Sequence, residues 1–300
     1  MNQQPSWLDR KEYPFQSRYL TIAGRQLHYI DEPANNSNAE TLLFVHGTPS
    51  WSFDFRNVIK RLSPDYRCVA LDHIGFGLSD KPANHNYSTP NHAAILAQFV
   101  QHLQLRNITL VMHDFGGPIA MAWALDHPAL LRRLVLMNTW LWSSAQDPEY
   151  QRFSKVLRSP LLPFLYRRLN FSPRFLLRQS FADRSKLRPP IHRHFTAPFA
   201  NAAEREGTLA FARSLLNDQE WFQQLWERRA SVAQLPTLLI WGMNDRFVGP
   251  KYLEKFSAGF PNSRAVRLAN VGHFPQEEEP EAVATAIKNF IAETDSPVRG

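Results

Sequence analysis

The chain has 300 residues, of which 44% are hydrophobic and 20% are charged, so it can bury a globular core and is unlike a disordered or collagen-like chain. Its single cysteine, Cys68, excludes a disulfide framework and a thiolate metal cluster within one chain. The net charge of +7 resides in one segment, because residues 139–232 carry fifteen Lys and Arg against eight Asp and Glu while the rest is balanced.

The N-terminus, "MNQQPSWLDRKEYPF", lacks the apolar h-region of a secretory signal peptide. No apolar run in the chain approaches the roughly 20 residues of a membrane span. We therefore expect a cytoplasmic, soluble protein without a membrane span.

The first half of the chain alternates strand-like and helix-like segments. Residues 18–31 predict two strands joined at Ala23–Gly24. Continuous apolar runs predict buried parallel strands at "TLLFVHG", "YRCVALD", "ITLVMHD" and "LRRLVLMN". Helical spacing separates them in "WSFDFRNVIKRL", "NHAAILAQFVQHLQL" and "GGPIAMAWALDHP".

Residues 139–232 break this alternation, since the pattern there is helical, rich in Pro and without a strand-like run. Strands resume at "PTLLIWGMND" and "SRAVRLAN", with helices at "LEKFSAGF" and "PEAVATAIKNFIAE". Alternating strands and helices predict an α/β fold with a mostly parallel sheet covered on both faces. We predict one core domain, formed by residues 1–138 and 233–300, and an inserted helical cap formed by residues 139–232.

The basic charge of the cap segment raises the question of nucleic-acid binding. Its Arg residues alternate with apolar ones, as in "PLLPFLYRRLNFSPRFLLRQSF", whereas a phosphate-binding face would show denser basic runs with fewer Leu and Phe. We therefore predict no nucleic-acid partner and interpret these cations as solvated Arg on amphipathic helices.

Three residues that each follow a predicted strand carry the chemistry. They are Asp114 after "ITLVMH", Asp245 in "LLIWGMND" and His273 in "ANVGHFPQEEEP". Ligands of open α/β sheets bind beyond the carboxyl ends of the strands, where all three residues are expected. Their order in the chain is the order of nucleophile, acid and histidine in α/β hydrolases. Asn138, after the preceding strand, is a second and uncharged candidate for the acid position.

Asp114 occupies the place in "MHDFGGP" where a hydrolase more often carries Ser. Asp could merely cap the following helix, but the ordered Asp245 and His273 favour a nucleophile. A carboxylate is ionised at neutral pH and needs no base to activate it. It can displace a leaving group at a saturated carbon or open a strained ring, and so form an alkyl ester. Attack on an ordinary ester would instead give an anhydride, which argues against an esterase, lipase or peptidase.

Four stretches resemble the haloalkane dehalogenases, a family of α/β hydrolases with an Asp nucleophile. They are "HGTPSWSFDFR" at 46–56, "DHIGFGLSDKP" at 72–82, "HDFGGP" at 113–118 and "GHFPQEEEP" at 272–280. The resemblance extends over the whole length, including the position of the cap. It implies the α/β-hydrolase fold and the hydrolysis of a halogenated alkane to an alcohol and halide.

The resemblance also implies roles for individual residues. His273 would deprotonate a water that attacks the ester on Asp114, and Asp245 would accept the other ring N–H and hold its tautomer. The backbone N–H groups of Thr48 and Phe115 would form the oxyanion hole. No cofactor is implied, and no spacing resembles a zinc site such as HExxH or paired CxxC.

The sequence departs from this family at the halide site. Family members hold the departing halide between two side-chain N–H donors, and one is usually a Trp directly after the nucleophile, where this chain has Phe115. The other is an Asn in the HGxP turn, where Thr48 stands here, or a Trp of the cap, for which Trp221 and Trp226 are further candidates. We predict a leaving-group and substrate pocket for a small apolar organic molecule, lined by Thr48, Phe115, Trp51, Trp140, Trp142 and Tyr166.

Three alternatives stay open. Epoxide hydrolases share the Asp, the HGxP turn and the late His, and they use two cap tyrosines, which would have to be Tyr150 and Tyr166 here. The β-lactone decarboxylase branch of the dehalogenase family resembles "PSWSF" and "DHIGFGLSDKP". A non-catalytic small-ligand binding protein on a hydrolase scaffold is the alternative from another class. The sequence does not indicate an oligomeric state.

Overall fold

One eight-stranded sheet forms the centre of the computed structural model, which describes residues 5–36 and 39–295. The strand order is β1-β2-β4-β3-β5-β6-β7-β8. β1 and β2 are antiparallel to their neighbours, and the other pairs are parallel, which confirms the predicted mostly parallel α/β sheet. The strands are β1 Arg18–Ile22, β2 Arg25–Glu32, β3 Thr41–Val45, β4 Arg67–Leu71, β5 Ile108–His113, β6 Leu131–Met137, β7 Thr237–Gly242 and β8 Ser263–Leu268.

Helices of the core domain cover the sheet. Helix α1 is Arg56–Leu62, α2 Thr89–His102, α3 Gly116–Asp126, α10 Pro250–Gly259, α11 Pro275–Glu278 and α12 Pro280–Asp295. Between β6 and β7 come α4 Pro148–Leu157, α5 Leu162–Leu169, α6 Leu177–Ser180, α7 Pro189–Thr196, α8 Glu206–Asn217 and α9 Gln219–Glu227. Short 3₁₀ turns lie at Ser52–Phe55, Pro128–Leu130, Ala203–Arg205 and Arg228–Ser231, and a π-helical turn at Ser172–Leu176.

The two faces of the sheet bury separate apolar cores. Successive side chains of a strand point to opposite faces, so Leu43 joins the cluster on one face and Phe44 the cluster on the other. Phe99 of α2 packs into the first cluster, while Ile287 of α12 packs into the second. This double burial explains why β3 to β7 are continuous apolar runs rather than alternating ones.

The helical insertion between β6 and β7 is present, as predicted, and its described residues form no strand. Helix α8 joins it to the core, since Phe211 of α8 packs on Phe115 with ring centroids 4.7 Å apart. Phe115 lies two residues after the carboxyl end of β5, so the insertion covers the carboxyl edge of the sheet. The cap boundaries at residues 139 and 232 stay a prediction.

Two features are absent from the described residues, a membrane-spanning helix and a metal-binding cluster. No helix there has both the length and the apolar character that a membrane crossing requires. No group of three or more His, Cys, Asp or Glu side chains in residues 5–36 and 39–295 is arranged to hold a metal ion.

Candidate active site

Asp114 lies at a sharp turn between β5 and α3. Its φ of 53° is in the left-handed region, which Asp tolerates better than most residues. The turn requires glycine at two neighbours: a Cβ on Gly116 would lie 2.0 Å from the backbone oxygen of Val45, and one on Gly47 would lie 2.0 Å from Oδ1 of Asp114. The tight backbone therefore lifts the Asp114 carboxylate above the carboxyl edge of the sheet.

Loops after β5, β7 and β8 bring the three predicted catalytic side chains together. The ring of His273 donates from Nδ1 to Oδ2 of Asp245 at 2.7 Å and from Nε2 to Oδ2 of Asp114 at 3.2 Å. All three side chains are buried. The imidazole therefore lies between two carboxylates. Asp245 belongs to the loop after β7, and Asp114 belongs to the sharp turn after β5, which we call the elbow.

Asp245, and not Asn138, contacts the ring of His273, and Asn138 supports Asp245. The side-chain amide of Asn138 donates to Oδ2 of Asp245 at 2.8 Å and accepts from the backbone N–H of Gly242 at 2.9 Å. Asn138 also has a positive φ of 31° at the end of β6. Asn138, the second candidate for the acid position, thus orients Asp245, the carboxylate that His273 contacts.

The mutual charges of this cluster set its protonation states. Burial opposes a charged imidazole, yet the carboxylates of Asp245 and Asp114 outweigh burial and raise the pKa of His273 to about 10. Burial alone would raise the pKa of both carboxyls, but the charge and hydrogen bonds of His273 leave their pKa values below the ordinary one. At neutral pH the site therefore holds an imidazolium between two carboxylates.

Two backbone N–H groups lie against the Asp114 carboxylate. The N–H of Thr48 donates to Oδ1 at 2.7 Å, and the N–H of Phe115 also lowers the pKa of this carboxyl. Oδ1 is thus held by the N–H of Thr48, while Oδ2 faces His273. If Asp114 became an ester, the same donors would stabilise negative charge on Oδ1 during its hydrolysis.

The loop of His273 is tied to both the core and the cap. His113 donates from Nε2 to the carbonyl of His273 at 2.7 Å. Glu278 accepts from the N–H of Gly272 at 2.8 Å and from the N–H of Ala182 at 3.0 Å. The carbonyl of Ser180 accepts from the N–H of His273 at 2.8 Å. The cap segment after α6 therefore helps to place the histidine.

A cavity of about 320 Å³ opens above Asp114 and His273. Of the residues predicted to line it, Thr48, Phe115, Trp140 and Tyr166 do so. Other lining residues come from the cap and from the loop after β7: Tyr150, Phe153, Leu157, Leu176, Leu177, Arg246, Phe247 and Tyr252. A mostly apolar cavity with a few polar groups is typical of a small-molecule site.

Two predicted lining residues lie elsewhere. Trp51 is fully buried beside the sheet, where its indole N–H donates to the carbonyl of His194 at 2.8 Å. Trp142 stacks on Tyr252 and packs against Trp226, and it does not itself line the cavity. Both predictions are corrected, because each indole fills a junction between helix and core instead of the pocket.

Thr48 and Trp140 of the cavity lining each offer a side-chain donor for a leaving group. Oγ1 of Thr48 is buried and has no hydrogen-bond partner among the described residues. The indole of Trp140 lines the cavity, meets the Phe115 ring edge-on with centroids 4.8 Å apart, and forms no hydrogen bond within residues 5–36 and 39–295. Trp221 and Trp226, the other cap candidates, do not line the cavity.

Sequence reasoning missed part of the lining. Phe247 follows Asp245 by two residues, so its proximity to the site could have been read from the loop position. Phe153, Leu176 and Tyr252 carry no such signal, because their placement depends on how separate helices pack above the sheet.

The whole chain is similar to known proteins. A family model described as alpha/beta hydrolase fold matches residues 40–280. Haloalkane dehalogenase 2 of Mycobacterium tuberculosis is 36% identical over 281 residues, which cover 93% of this chain and 96% of that protein. A cis-3-alkyl-4-alkyloxetan-2-one decarboxylase of Shewanella oneidensis is 33% identical over 94% of this chain and 90% of its own length.

Solved structures agree with these relatives. The haloalkane dehalogenase AncHLD2, described as ancestral, superposes with a TM-score of 0.84 at 28% identity, over 93% of this chain and 100% of its own. The haloalkane dehalogenase DbeA from Bradyrhizobium elkani superposes with a TM-score of 0.83 at 25% identity, over 94% of this chain and 99% of its own.

Proposed function

This chain belongs to the alpha/beta hydrolase family and is related to the haloalkane dehalogenases, and from that premise we propose that it hydrolyses halogenated alkanes through an alkyl ester on Asp114. One observation carries the proposal: a buried carboxylate, rather than a hydroxyl, lies at the elbow beneath an apolar cavity and faces His273. Such a group attacks saturated carbon without prior deprotonation.

In the first step, Oδ2 of Asp114 attacks the carbon that bears the halogen. Backbone donors occupy Oδ1, which leaves Oδ2 as the attacking oxygen. The new bond joins Oδ2 to carbon, and the carbon–halogen bond breaks with its electron pair on the halide. No proton moves, so an imidazolium at His273 does not impede this step.

In the second step, His273 takes a proton from a water that attacks Cγ of Asp114. Ester formation removes one of the two carboxylate charges that raise the pKa of His273 to about 10, so the imidazolium first releases its proton to solvent and the neutral ring then acts as this base. Asp245 stabilises the imidazolium that forms. Negative charge on Oδ1 meets the N–H groups of Thr48 and Phe115, the ester bond then breaks, and the alcohol leaves with a proton from His273.

The halide would be received by donors other than the usual pair. Phe115 offers only its backbone N–H, which the oxyanion uses. The hydroxyl of Thr48 and the indole N–H of Trp140 are the unpartnered side-chain donors described above. A hydrogen bond to a charged group contributes about 1.5–3 kcal/mol, so their position governs the rate of halide departure.

A second candidate is decarboxylation of a β-lactone. The 33% identical decarboxylase of Shewanella oneidensis supports it. Epoxide hydrolysis has less support. It would need the hydroxyls of Tyr150 and Tyr166, and the hydroxyl of Tyr150 already donates to the carbonyl of Leu215.

The test is mass spectrometry of a His273→Gln protein incubated with a panel of bromoalkanes, an epoxide and a cis-dialkyl β-lactone. A bromoalkane should add the mass of its alkyl group at Asp114, because the variant forms the ester but cannot hydrolyse it. His102→Gln, a change of an exposed His in α2, should accumulate no adduct. A β-lactone adduct alone would transfer the proposal to the second candidate. No adduct with any compound would contradict covalent catalysis and favour a binding protein.

A further inference from the structure

Exposed large apolar side chains are concentrated on one part of the cap. Of the seven among the described residues, six lie between Phe153 and Phe175, and the seventh is Phe247. Leu161 is 64% exposed and Phe164 56% exposed. Contiguous apolar patches of this kind mark interaction surfaces in soluble proteins.

The same segment carries cations and no acid. Residues 150–182 contain seven Lys and Arg and not one Asp or Glu. Arg167 pairs with Glu206. The other six are exposed and form no ion pair with any described residue: Arg152, Lys155, Arg158, Arg168, Arg174 and Arg178. The net charge of the chain is thus concentrated beside the apolar side chains, a combination we call the basic apolar face.

The basic apolar face belongs to one layer of the cap. Helices α4 and α5 both pack on α8 through a single cluster that contains Leu157, Tyr166 and Leu209. On α5, Phe164 and Arg168 are four residues apart and therefore share the outer side of the helix. Apolar and cationic side chains are thus interleaved on the outward surface rather than separated.

The face is continuous with the mouth of the cavity. Phe153 and Phe247 line the cavity and are 36% and 41% exposed, so they lie where it meets solvent. Phe153 also belongs to the segment that bears the face. Whatever covers this surface therefore lies at the entrance to Asp114.

We propose that the basic apolar face docks the protein on an anionic lipid surface. Helices with Lys and Arg beside Phe and Leu lie in the plane of a membrane, with apolar side chains among the acyl chains and cations at the phosphates. A second copy in a symmetric dimer would bring two surfaces of like charge together. Nucleic acid would leave Leu161 and Phe164 without an apolar partner.

Docking has a consequence that rests on the proposed function. The mouth of the cavity would face the bilayer, in which an apolar substrate is far more concentrated than in water. The enzyme would then take its substrate from the lipid phase. Docking on lipid does not depend on turnover. Vesicle binding and enzymatic activity can therefore be tested separately, and one proposal can be wrong while the other holds.

Co-sedimentation with vesicles tests the proposal. Wild type should bind vesicles in which phosphatidylglycerol makes up about a third of the lipid and should bind pure phosphatidylcholine far less. An Arg152→Gln/Arg168→Gln protein should partition about thirtyfold more weakly, since each basic side chain near an anionic surface contributes roughly a fivefold factor. The matched control, Arg61→Gln/Arg106→Gln, removes two exposed cations from outside the cap and should bind as wild type does.

The apolar part of the face has its own variant. Leu161→Ser/Phe164→Ser should weaken vesicle binding at every salt concentration, whereas added salt should weaken wild type through its cations. Neither residue lines the cavity, so turnover of a water-soluble substrate and the thermal midpoint should stay unchanged. Absence of binding to anionic vesicles at low salt would overturn the proposal. An equal loss of vesicle binding in the Arg152→Gln/Arg168→Gln protein and in the Arg61→Gln/Arg106→Gln control would also overturn it. So would a dimer that only the Leu161→Ser/Phe164→Ser protein loses.

Discussion

The carboxyl edge of the sheet and the cap above it are built by different means. At the edge, backbone geometry leaves little freedom: the left-handed turn at Asp114 and the contacts of Gly47 and Gly116 admit few other residues. In the cap, short amphipathic helices meet through a small cluster around Leu157 and Tyr166 and leave large apolar side chains in solvent. We therefore expect the proposed reaction chemistry to depend on the tightly constrained edge and substrate selection to depend on the cap.

We expect the largest difference in turnover between variants of two carboxylates that line the same cavity. Asp114 belongs to the core, while Asp147 begins helix α4 of the cap and accepts from the N–H of Glu149. Asp114→Ala should reduce turnover by roughly 10⁴-fold or more, because it removes the nucleophile. Asp147→Ala should lose about 1 kcal/mol of stability with its helix cap and little activity. Steady-state kinetics and thermal unfolding of both proteins check this contrast.

Isotope labelling of wild type tests the role of Asp114 further. During multiple turnovers in ¹⁸O water, heavy oxygen should enter the Asp114 carboxylate, since water attacks Cγ of the ester. Label confined to the product alcohol would mean that water attacks the substrate directly.

The second largest effect on turnover should come from a substitution at Asp245 in the core. Asp245→Asn removes a charge that raises the pKa of His273, so this pKa should fall and turnover should drop by about 10³- to 10⁴-fold. Because the folded-state pKa of about 10 exceeds the ordinary histidine value of 6.5, His273 stabilises the fold fully below pH 6.5 and loses this contribution as pH rises through 10. In the Asp245→Asn protein, the fold should therefore lose less stability as the pH rises toward 10.

Thermal midpoints between pH 7 and pH 10 measure the difference, and an NMR titration of His273 reports its pKa directly. Asp126→Asn, a change at an exposed carboxylate paired with Arg228, serves as the control. An unchanged alkaline profile in Asp245→Asn would show that Asp245 does not govern the charge of His273.

The same contrast explains what the sequence could predict. Two carboxylates and a histidine that each follow a strand must meet at the carboxyl edge of a parallel sheet. The proximity of Asp114, Asp245 and His273 can therefore be predicted without a structure. Asn138 was ambiguous, because its position after β6 fits the acid role as well as the supporting role that its hydrogen bond to Asp245 reveals.

Cap residues were much less predictable. Residue type predicts Trp142 of the cap, and also Trp51 of the core, in the pocket, yet their indoles fill junctions between elements. Amphipathic periodicity tells which side of a helix is buried but not which neighbour it meets. For Leu176 and Phe153, the direction of packing decides between the cavity and solvent, and local sequence carries no signal of it.

A change at the boundary of the two regions should have a smaller and opposite effect. Phe115 lies between the elbow and Phe211 of the cap. Phe115→Trp adds an N–H beside the leaving group and should raise kcat/KM toward bromoalkanes roughly ten- to a hundredfold, the value of about 1.5–3 kcal/mol. The gain should be greater for chloride than for iodide, since the smaller anion concentrates its charge. The larger ring can cost about 1–3 kcal/mol of stability through overpacking, so the thermal midpoint is measured alongside. A stable Phe115→Trp protein without any gain would favour the β-lactone.

The smallest expected effect concerns two leucines of the cap that differ only in what they face. Leu176 lines the cavity, whereas Leu169 is 40% exposed and does not. Leu176→Ala enlarges the space above Asp114, so the ratio of kcat/KM for a long haloalkane to that for a short one should rise about tenfold, within the range that a few methylene groups provide. Leu169→Ala should leave this ratio unchanged. If both variants shift selectivity equally, the cap acts through its general packing, and the division between a rigid reactive edge and a selective cavity wall would fail.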